Sequence, residues 1–308
     1  MIKVSIPGKI HLIGEHSSVY GKGAILASIN LYLHAKISKS EEKEISGLVQ
    51  YDDAIKNMQS VIETKIREKF EIKKIPNYAL EIDKTGIPIG SGLGTSASLS
   101  VAFTICLLKY LEVKYTQDDV FEIALEGERI FLGNPSGGDL AAVLNQGLTY
   151  FKKNPDGPNT AAPLSINQDL NFLLIDSGKS EEGTLEMVEK VRIKNQELRI
   201  AVKKIIDDQE KLTNELLQVL TNFDKNKLKK IITKAENNLE KLGVVGKTAK
   251  AIIRKIEELQ GAAKISGAGG IKKGSGMILA FHRDINELIK FAKKERLQYY
   301  LIQIDKTS

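Results

Sequence analysis

The segment Pro88–Ala97, Pro-Ile-Gly-Ser-Gly-Leu-Gly-Thr-Ser-Ala, has three glycines at alternate positions and leads directly into an apolar stretch. Glycine lacks a Cβ atom, so such a segment reaches left-handed dihedral angles and lets main-chain N–H groups approach a ligand. The apolar residues up to Tyr110 have the spacing of a helix, and Thr95 or Ser96 is placed to cap it. Loop amides and helix dipole would then point at one anion. The segment predicts a phosphate-binding loop at a helix start.

Two familiar glycine signatures do not fit this segment. The Walker A loop requires a Gly-Lys-Ser/Thr ending, and the dinucleotide fingerprint requires Gly-x-Gly-x-x-Gly after the first strand of a βαβ unit. A Gly-x-Gly pair can also mark nothing more than a tight turn. On the segment alone, a phosphate cradle and a simple turn both stay open.

The composition indicates a globular protein of about two domains. Of the 308 residues, 42% are hydrophobic and 27% are charged, as in proteins with a full core. The net charge of +6 comes largely from helical segments that mix lysine with acidic residues, which indicates solvated helix faces and also suits an anionic small-molecule substrate. No basic stripe with aromatic residues favours nucleic acid. Cys106, the single cysteine, is expected to be a buried hydrophobe rather than a nucleophile.

No segment predicts a leader or a membrane anchor. The first residues lack the charged region followed by a long apolar run that marks a signal peptide. No stretch reaches the roughly eighteen consecutive apolar residues of a membrane span. We therefore expect a cytoplasmic protein without membrane or nucleic-acid partners.

The order of the predicted elements indicates an α+β protein. Residues from about 181 to 259 are almost wholly helical, and a β-β-α-β tail follows. Asn154–Pro163, with three prolines, is the best candidate boundary, so we expect domains at 1–160 and 161–308. The charged segment Ser38–Ser46 predicts an exposed turn. The expected strands before the helical region are Ile2–Ile6 and Ile10–Ile13, separated by Pro7-Gly8, then Ala24–Ser38, Tyr78–Ile82, Leu148–Phe151 and Phe172–Ile175.

Polar residues near the N-terminus and around residue 139 are candidates for chemistry. Lys9, Glu15 and His16 stand out in the first part of the chain. A surface lysine and a core or capping histidine are the ordinary alternatives there. Asp139 follows the turn-rich Asn134–Gly138 and precedes an apolar helical run, where a helix-capping or first-turn role would also explain it.

With these residues in view, the chain resembles the GHMP kinase superfamily of small-molecule kinases over nearly its whole length. Within that superfamily, Gly14–Gly21 and the segment Glu126-Gly-Glu-Arg129 with Asn134–Asp139 are similar to mevalonate kinases. The three motifs occur in order at Pro7-Gly-Lys9 with Gly14-Glu-His16, at Pro88–Ala97, and at Lys264–Gly270.

The resemblance implies a two-domain GHMP kinase fold. Its N-terminal domain would be a ribosomal-protein-like α+β domain that binds nucleotide, its C-terminal domain would be ferredoxin-like, and the active site would lie between them. It implies transfer of phosphate from ATP, with Mg²⁺, to the 5-hydroxyl of mevalonate, giving 5-phosphomevalonate and ADP in isoprenoid precursor synthesis. The oligomeric state stays open, with a homodimer as one option.

The motif matches also imply roles residue by residue. Asp139 matches the catalytic aspartate, Lys9 the lysine that pairs with it, and Ser96 and Glu128 the residues that hold Mg²⁺. The implied nucleotide loop is Gly90, Ser91, Gly92, Leu93, Gly94, Thr95 and Ser96. The residues implied to contact the acceptor are Glu15, His16, Thr184, Gly267 and Ala268.

One segment departs from the family pattern. Ile271–Gly276 interrupts the third motif where the family continues its glycine run, and its Lys272 and Lys273 fit either solvated loop lysines or phosphate contacts. The alternative functions are another GHMP kinase, such as phosphomevalonate kinase, or a non-catalytic nucleotide-binding sensor. Diphosphomevalonate decarboxylase is disfavoured by Glu15-His16.

Overall fold

The computed structural model describes residues 1–47, 52–83, 85–88, 91–154 and 156–304. Strands β1 (Ile2–Ile13) and β2 (Gly23–Lys39) contribute residues to both of the compact units into which the chain divides. The predicted boundary near residue 160 stays a prediction. The first unit comprises Met1–Lys9, Asn30–Ile89 and Gly94–Gln146, and the second comprises Ile10–Ile29, Gly90–Leu93 and Gly147–Ser308.

The first unit packs four helices with the C-terminal part of β2. Strand β4 (Tyr78–Asp83) pairs antiparallel with β2, and the short β3 (Glu44–Ser46) pairs parallel with β4. The Tyr78 ring meets those of Phe103 and Tyr110 edge to face, with centroids 6.4 and 6.1 Å apart. The helices are α1 (Asp52–Lys69), α2 (Thr95–Tyr110), α3 (Gln117–Leu132) and α4 (Gly138–Asn145).

Helix α2 is the centre of the first unit because it is apolar around most of its circumference and almost entirely buried. Its buried hydroxyls are satisfied locally: Ser98 Oγ donates to the carbonyl of Pro7 at 2.7 Å, and Thr104 Oγ1 donates to the carbonyl of Ser100 at 2.8 Å. Cys106 is buried here and burial raises its pKa to about 12, which confirms the expected inert thiol.

The second unit contains two antiparallel arrangements of strands. The N-terminal part of β2 pairs with β5 (Leu148–Lys152), which pairs in turn with β6 (Thr160–Leu164). A separate four-stranded sheet has the order β10-β7-β9-β8. Its strands are β7 (Leu170–Asp176), β8 (Ala262–Ile265), β9 (Met277–Phe281) and β10 (Tyr299–Ile304).

Helices in the second unit surround that four-stranded sheet. A buried cluster joins the inner faces of α7 and α8 to β8 and β9, with Leu239, Ile253, Ala263 and Ile278 fully buried within it. The antiparallel order, 4-1-3-2 by sequence, is that of a ferredoxin-like domain and confirms the expected α+β class. The helices are a 3₁₀ helix at Ser17–Tyr20, then α5 (Thr184–Glu197), α6 (Arg199–Thr221), α7 (Lys225–Leu242), α8 (Lys247–Glu258) and α9 (Ile285–Lys294).

Three expectations about local structure are wrong. Pro7 does not divide β1, because β1 pairs only with β2 among the described strands, and a proline without an N–H is tolerated on an unpaired edge. Ser38–Ser46 is not only a turn, since it ends in β3. The predicted boundary Asn154–Pro163 includes the first residues of β6, where Ala161 and Thr160 pair with Phe151 and Lys152.

The expected start of α3 is confirmed. Thr116 caps α3 through a capping box, in which its side chain and that of Asp119 each accept from the other's backbone N–H. Lysine–acid pairs occur on exposed helix faces, such as Lys203 with Asp207 at 2.6 Å, as expected for solvated helix faces. None of the helices in the described ranges is long and apolar enough to span a membrane.

Candidate active site

An ion pair between a buried lysine and a half-buried aspartate joins the two residues that the motifs single out as catalytic. Lys9 lies in β1 and is 3% exposed, and its Nζ lies 3.1 Å from Oδ2 of Asp139. Asp139 is in the first turn of α4, where the positive end of the helix dipole favours a carboxylate. Gly137, with φ of +81°, begins that helix. The turn-rich segment before Asp139 thus serves to start a short helix with the carboxylate facing Lys9.

Gly94 fixes the path of the Lys9 side chain. Gly94 has φ of +74°, and a Cβ atom there would lie 2.7 Å from Cγ of Lys9 and 3.0 Å from its Cε. The aliphatic part of Lys9 therefore runs against the bare backbone at the start of α2. The third glycine of the loop is needed for packing the lysine as well as for its backbone conformation.

Gly94→Ala should lower kcat more than it lowers stability. An alanine at positive φ costs about 1–2 kcal/mol, and its methyl group would also push Lys9 away from Asp139. Gly243→Ala is the matched control, because Gly243 has φ of +84° and ψ of +28°, close to those of Gly94, and an added Cβ there would meet only Nζ of Lys194 at 3.5 Å. Steady-state turnover and thermal unfolding of both variants separate the two effects. Equal kcat in the two variants would show that Gly94 does not position Lys9.

Glu128 is a buried carboxylate without a hydrogen-bond partner among the described residues. It lies in α3, is 1% exposed, and both of its Oε atoms are unpaired there. The preceding Gly127 lets α3 approach its neighbours, since a Cβ would lie 2.8 Å from Cδ1 of Ile62 and 3.2 Å from Oγ of Ser100. Burial, and then repulsion by Asp139, raise the pKa of Glu128 to about 8, although Lys9 opposes the shift.

These residues fit a bound magnesium ion. Lys9, Asp139 and Glu128 together hold two carboxylates and one ammonium group, so a cation is needed to balance the charge when both carboxylates are ionised. No cluster of three or more His, Cys, Asp or Glu side chains suited to a metal occurs in the ranges that the structure describes. A site with few protein ligands suits Mg²⁺, because this ion usually keeps several of its waters and also binds the phosphates of the substrate.

The glycine loop itself falls in both units. Gly90 lies outside the described residues. Ser91 and Leu93 are buried, and Thr95 and Ser96 are the first, half-buried residues of α2. Neither caps the helix through its side chain, contrary to expectation, since Gly94 is the N-cap and no side chain accepts there. The N–H groups at this helix start are therefore left for an anion.

The second and third motifs meet within the second unit. The N–H of Met277 donates to the carbonyl of Ser91 at 3.3 Å. A Cβ atom on Gly92 would lie 2.7 Å from the carbonyl oxygen of Ser266. Gly92 and Gly267 have φ of +81° and +113°, so both glycines are required by the close approach of two backbones. The two glycine segments, some 175 residues apart in sequence, form one surface.

His16 joins the first motif to the third. Its Nε2 lies 3.0 Å from the carbonyl oxygen of Ala268, and since a carbonyl only accepts, Nε2 carries the proton. Burial lowers the pKa of His16, so the ring is neutral at neutral pH, although the bond to Ala268 opposes the shift. The backbone of His16 has φ of +60°, a conformation that costs energy and that often occurs at functional sites.

Glu15 and Thr184 lie in different surroundings. Glu15 is buried and forms an ion pair with Lys264, whose side chain is fully buried in β8. Thr184 is the exposed first residue of α5. The structure therefore brings His16, Gly267 and Ala268 together, and it commits the carboxylate of Glu15 to a protein partner.

The departure in the third motif forms an ordered turn. Ser275 Oγ donates to the carbonyl of Gly270 at 2.8 Å, and Ser177 Oγ donates to the carbonyl of Gly276 at 2.7 Å. A Cβ on Gly274 would lie 1.8 Å from the carbonyl oxygen of Gly178, so only glycine fits. Lys273 pairs with Glu181 at 2.8 Å and is exposed, which supports the solvated-lysine alternative for that residue.

The sequence interpretation did not single out Glu236. This residue lies in α7, is fully buried, and accepts a hydrogen bond from the N–H of Ile265 at 3.0 Å. A signal was present, because Glu236 falls four residues after Ile232 and three before Leu239, on the apolar stripe of that helix. Lys264 stood out only as the first residue of the third motif.

Comparisons with known proteins show what this chain is similar to. Residues 55–147 match the family described as GHMP kinases N terminal domain. The mevalonate kinase of Archaeoglobus fulgidus is 28% identical over 266 residues, covering 86% of this chain and 88% of that protein. The L. major mevalonate kinase solved in complex with R-mevalonate has a TM-score of 0.82 at 20% identity, covering 100% of this chain and 97% of that chain. The Streptococcus pneumoniae phosphomevalonate kinase solved with phosphomevalonate and AMPPNP has a TM-score of 0.79 at 18% identity, covering 99% and 100%.

The domain match at residues 55–147 and the sequence likeness to curated relatives make this chain similar to the GHMP kinase superfamily of small-molecule kinases. The two structural likenesses show the fold alone, because both identities are low. Sequence similarity is more specific than the fold. Within the superfamily, the chain is most like the mevalonate kinases.

Proposed function

We propose that this protein transfers the terminal phosphoryl group of ATP to the 5-hydroxyl of mevalonate, giving 5-phosphomevalonate and ADP. The observation that carries the proposal is the ion pair of buried Lys9 with half-buried Asp139, beside the carboxylate of Glu128, which has no hydrogen-bond partner among the described residues. The choice of mevalonate rests on the curated relatives, which are named mevalonate kinases and match most of the chain.

Asp139 is proposed to orient the acceptor hydroxyl and to accept its proton. Its carboxylate is 25% exposed, so one oxygen can reach a substrate while Oδ2 faces Lys9. The ammonium group of Lys9 stabilises the negative charge that develops on the attacking oxygen. Phosphoryl transfer needs little more than such positioning and charge stabilisation.

Glu128 and the hydroxyl of Ser96 are proposed to hold Mg²⁺. When bound, the ion neutralises the charge of the phosphates and of the developing transition state. Glu128 supplies a carboxylate with no competing hydrogen bond among the described residues, and Ser96 lies at the start of α2. The same helix start and the backbone of Ser91–Gly94 are proposed to bind the triphosphate.

A panel of acceptors tests the substrate. ADP release from Mg·ATP should depend on mevalonate and should exceed the rate with 5-phosphomevalonate, galactose or homoserine by at least about 10²-fold, because a site built for one hydroxyl acid leaves its polar groups unpaired with another. A coupled ADP assay measures all four rates at one enzyme concentration. Faster turnover of 5-phosphomevalonate would assign the second kinase activity instead, and ATP binding without turnover of any acceptor would indicate a sensor.

A cytoplasmic location and a homodimer are part of the same proposal. Cell fractionation and the mass of the purified chain in solution, measured by light scattering, test these two points. Recovery of the protein with membranes would overturn the cytoplasmic location, and a monomeric mass would overturn the homodimer. Neither result would contradict the proposed reaction.

A further inference from the structure

Lys264 is the centre of a buried charged cluster in the second unit. Its side chain is fully buried, and its Nζ forms the ion pair with Glu15. The same Nζ donates to the carbonyls of Ile265 at 2.8 Å and His11 at 3.3 Å. The three donors of the ammonium group are thus all used.

Glu236 approaches this cluster from α7. Its Oε2 accepts from the N–H of Ile265, the residue that follows Lys264. Its Oε1 and the Oε2 of Glu15 have no hydrogen-bond partner among the described residues. The cluster therefore contains two buried carboxylates for one buried lysine.

The cluster holds two functional segments together. Beyond Ile265 the chain enters the third glycine motif, where Ser266 Oγ accepts from the N–H of His11 at 3.1 Å. Further along, Ala268 accepts from the His16 ring at 3.0 Å. These bonds between the segments 264–268 and 11–16 are polar and directional, so each of them fixes the register of one backbone against the other.

Such a cluster is expensive for a core. Removing two carboxylates and an ammonium group from water costs free energy, and apolar side chains of the same volume often stabilise a fold better. A core built only for stability would place an apolar residue at Glu236, as α7 does at Ile232 and Leu239 on the same face. Compared with apolar residues, the charged residues add directional bonds, which they make to Ile265 and Glu15.

We propose that Lys264 and Glu236 are positioning residues of the kinase site, which hold Gly267–Ala268 and the His16 turn in register, and that Glu15 acts through Lys264 rather than by touching the acceptor. The expected changes in kcat and KM rest on the proposed function. It replaces the family-implied contact of Glu15 with the acceptor by an indirect role.

A double-mutant cycle tests the role of Glu15. Lys264→Met and Glu15→Gln should each lower kcat/KM for mevalonate by about 10–10²-fold, since small displacements of reacting groups cost that much. The double variant, which removes both charges of the Glu15–Lys264 ion pair and so leaves neither partner without the other, should be no worse than Lys264→Met alone. If Glu15 instead contacts the acceptor, the two losses multiply, and that outcome would overturn the proposal.

Variants of Glu236 test the positioning of the glycine segment. Glu236→Gln keeps an oxygen for the Ile265 N–H and should retain wild-type kcat and KM within about threefold, whereas Glu236→Leu should raise KM and speed amide hydrogen exchange at residues 265–270. Asn238→Leu is the matched control, because Asn238 is buried in the same helix and bonds Gln209 at 3.2 Å, away from this segment. It should lower stability without changing that exchange.

Wild-type exchange and kinetics in a folded Glu236→Leu protein would overturn the positioning role. If the wild-type protein shows no mevalonate-dependent turnover, the proposed function fails. The exchange measurements then decide the cluster's role alone, since they need no substrate.

Discussion

Asp139→Asn should lower kcat for phosphoryl transfer by about 10²–10⁴-fold while leaving ATP affinity nearly unchanged. Asparagine has the same volume and its amide oxygen still accepts from Lys9, which lies 3.1 Å away in the native pair. The variant loses the group that takes the proton of the hydroxyl, and it also loses half of the ion pair. A coupled ADP assay measures kcat, and isothermal titration calorimetry measures nucleotide binding.

Asp118→Asn is the control for this substitution. Asp118 occupies the first turn of α3, as Asp139 does in α4, but it is exposed. The control should keep wild-type kcat, because both variants change one helix-dipole contact and only one changes the site. A kcat for Asp139→Asn within threefold of the control would contradict the catalytic assignment.

Glu128→Gln should make the metal-free protein more stable at alkaline pH and at the same time abolish most of its turnover. Burial and Asp139 raise the pKa of Glu128 from about 4.5 to about 8. A raised pKa means that the folded state binds the proton more tightly than the unfolded state. The stability present below pH 4.5 is therefore lost as the pH rises through about 8. At 1.36 kcal/mol per pKa unit, the loss is about 5 kcal/mol at most.

Denaturation in EDTA at pH 5 and at pH 9 measures this effect. The difference in unfolding free energy between Glu128→Gln and the wild type should grow in favour of glutamine between the two pH values, because an amide cannot ionise. Glu126→Gln serves as the control, since Glu126 is two residues away in α3, is partly exposed and pairs with Arg129 at 3.4 Å. A pH-independent difference for Glu128→Gln would show that its carboxylate is not strained by burial.

At a cation site, replacing a buried carboxylate should stabilise the metal-free protein and at the same time remove its activity, and both effects are expected for Glu128→Gln. An unpaired buried carboxylate destabilises the empty protein, and a bound divalent ion would supply the missing charge. Addition of Mg²⁺ to the wild type, but not to Glu128→Gln, should recover stability at pH 9. The same residue thus links the fold's free energy to the proposed cofactor.

Much of the first unit follows from local sequence. The apolar run after Gly94 specifies a buried helix, and Thr116 with Asp119 specifies the start of α3, because capping and periodicity act over a few residues. Glu126-Gly-Glu-Arg129 is more informative than its length suggests, since Gly127 permits the close packing that buries Glu128. Pro7 and the β6 region were misjudged because pairing partners, not local propensity, decide whether such segments are strands.

The sequence alone indicated a phosphate-binding loop at Pro88–Ala97, and its resemblance to a kinase family singled out Lys9, Glu128 and Asp139. Glycines and charged residues can be recognised in the sequence itself, because a missing Cβ or an ionisable group is a property of one residue. Only the tertiary structure decided which charges lie together and how deeply they are buried. It paired Lys9 with Asp139, left Glu128 unpaired among the described residues, and set Lys264 between the chain at Glu15 and the helix of Glu236. Burial and pairing depend on residues distant in sequence, and those contacts set the free energy of each charge.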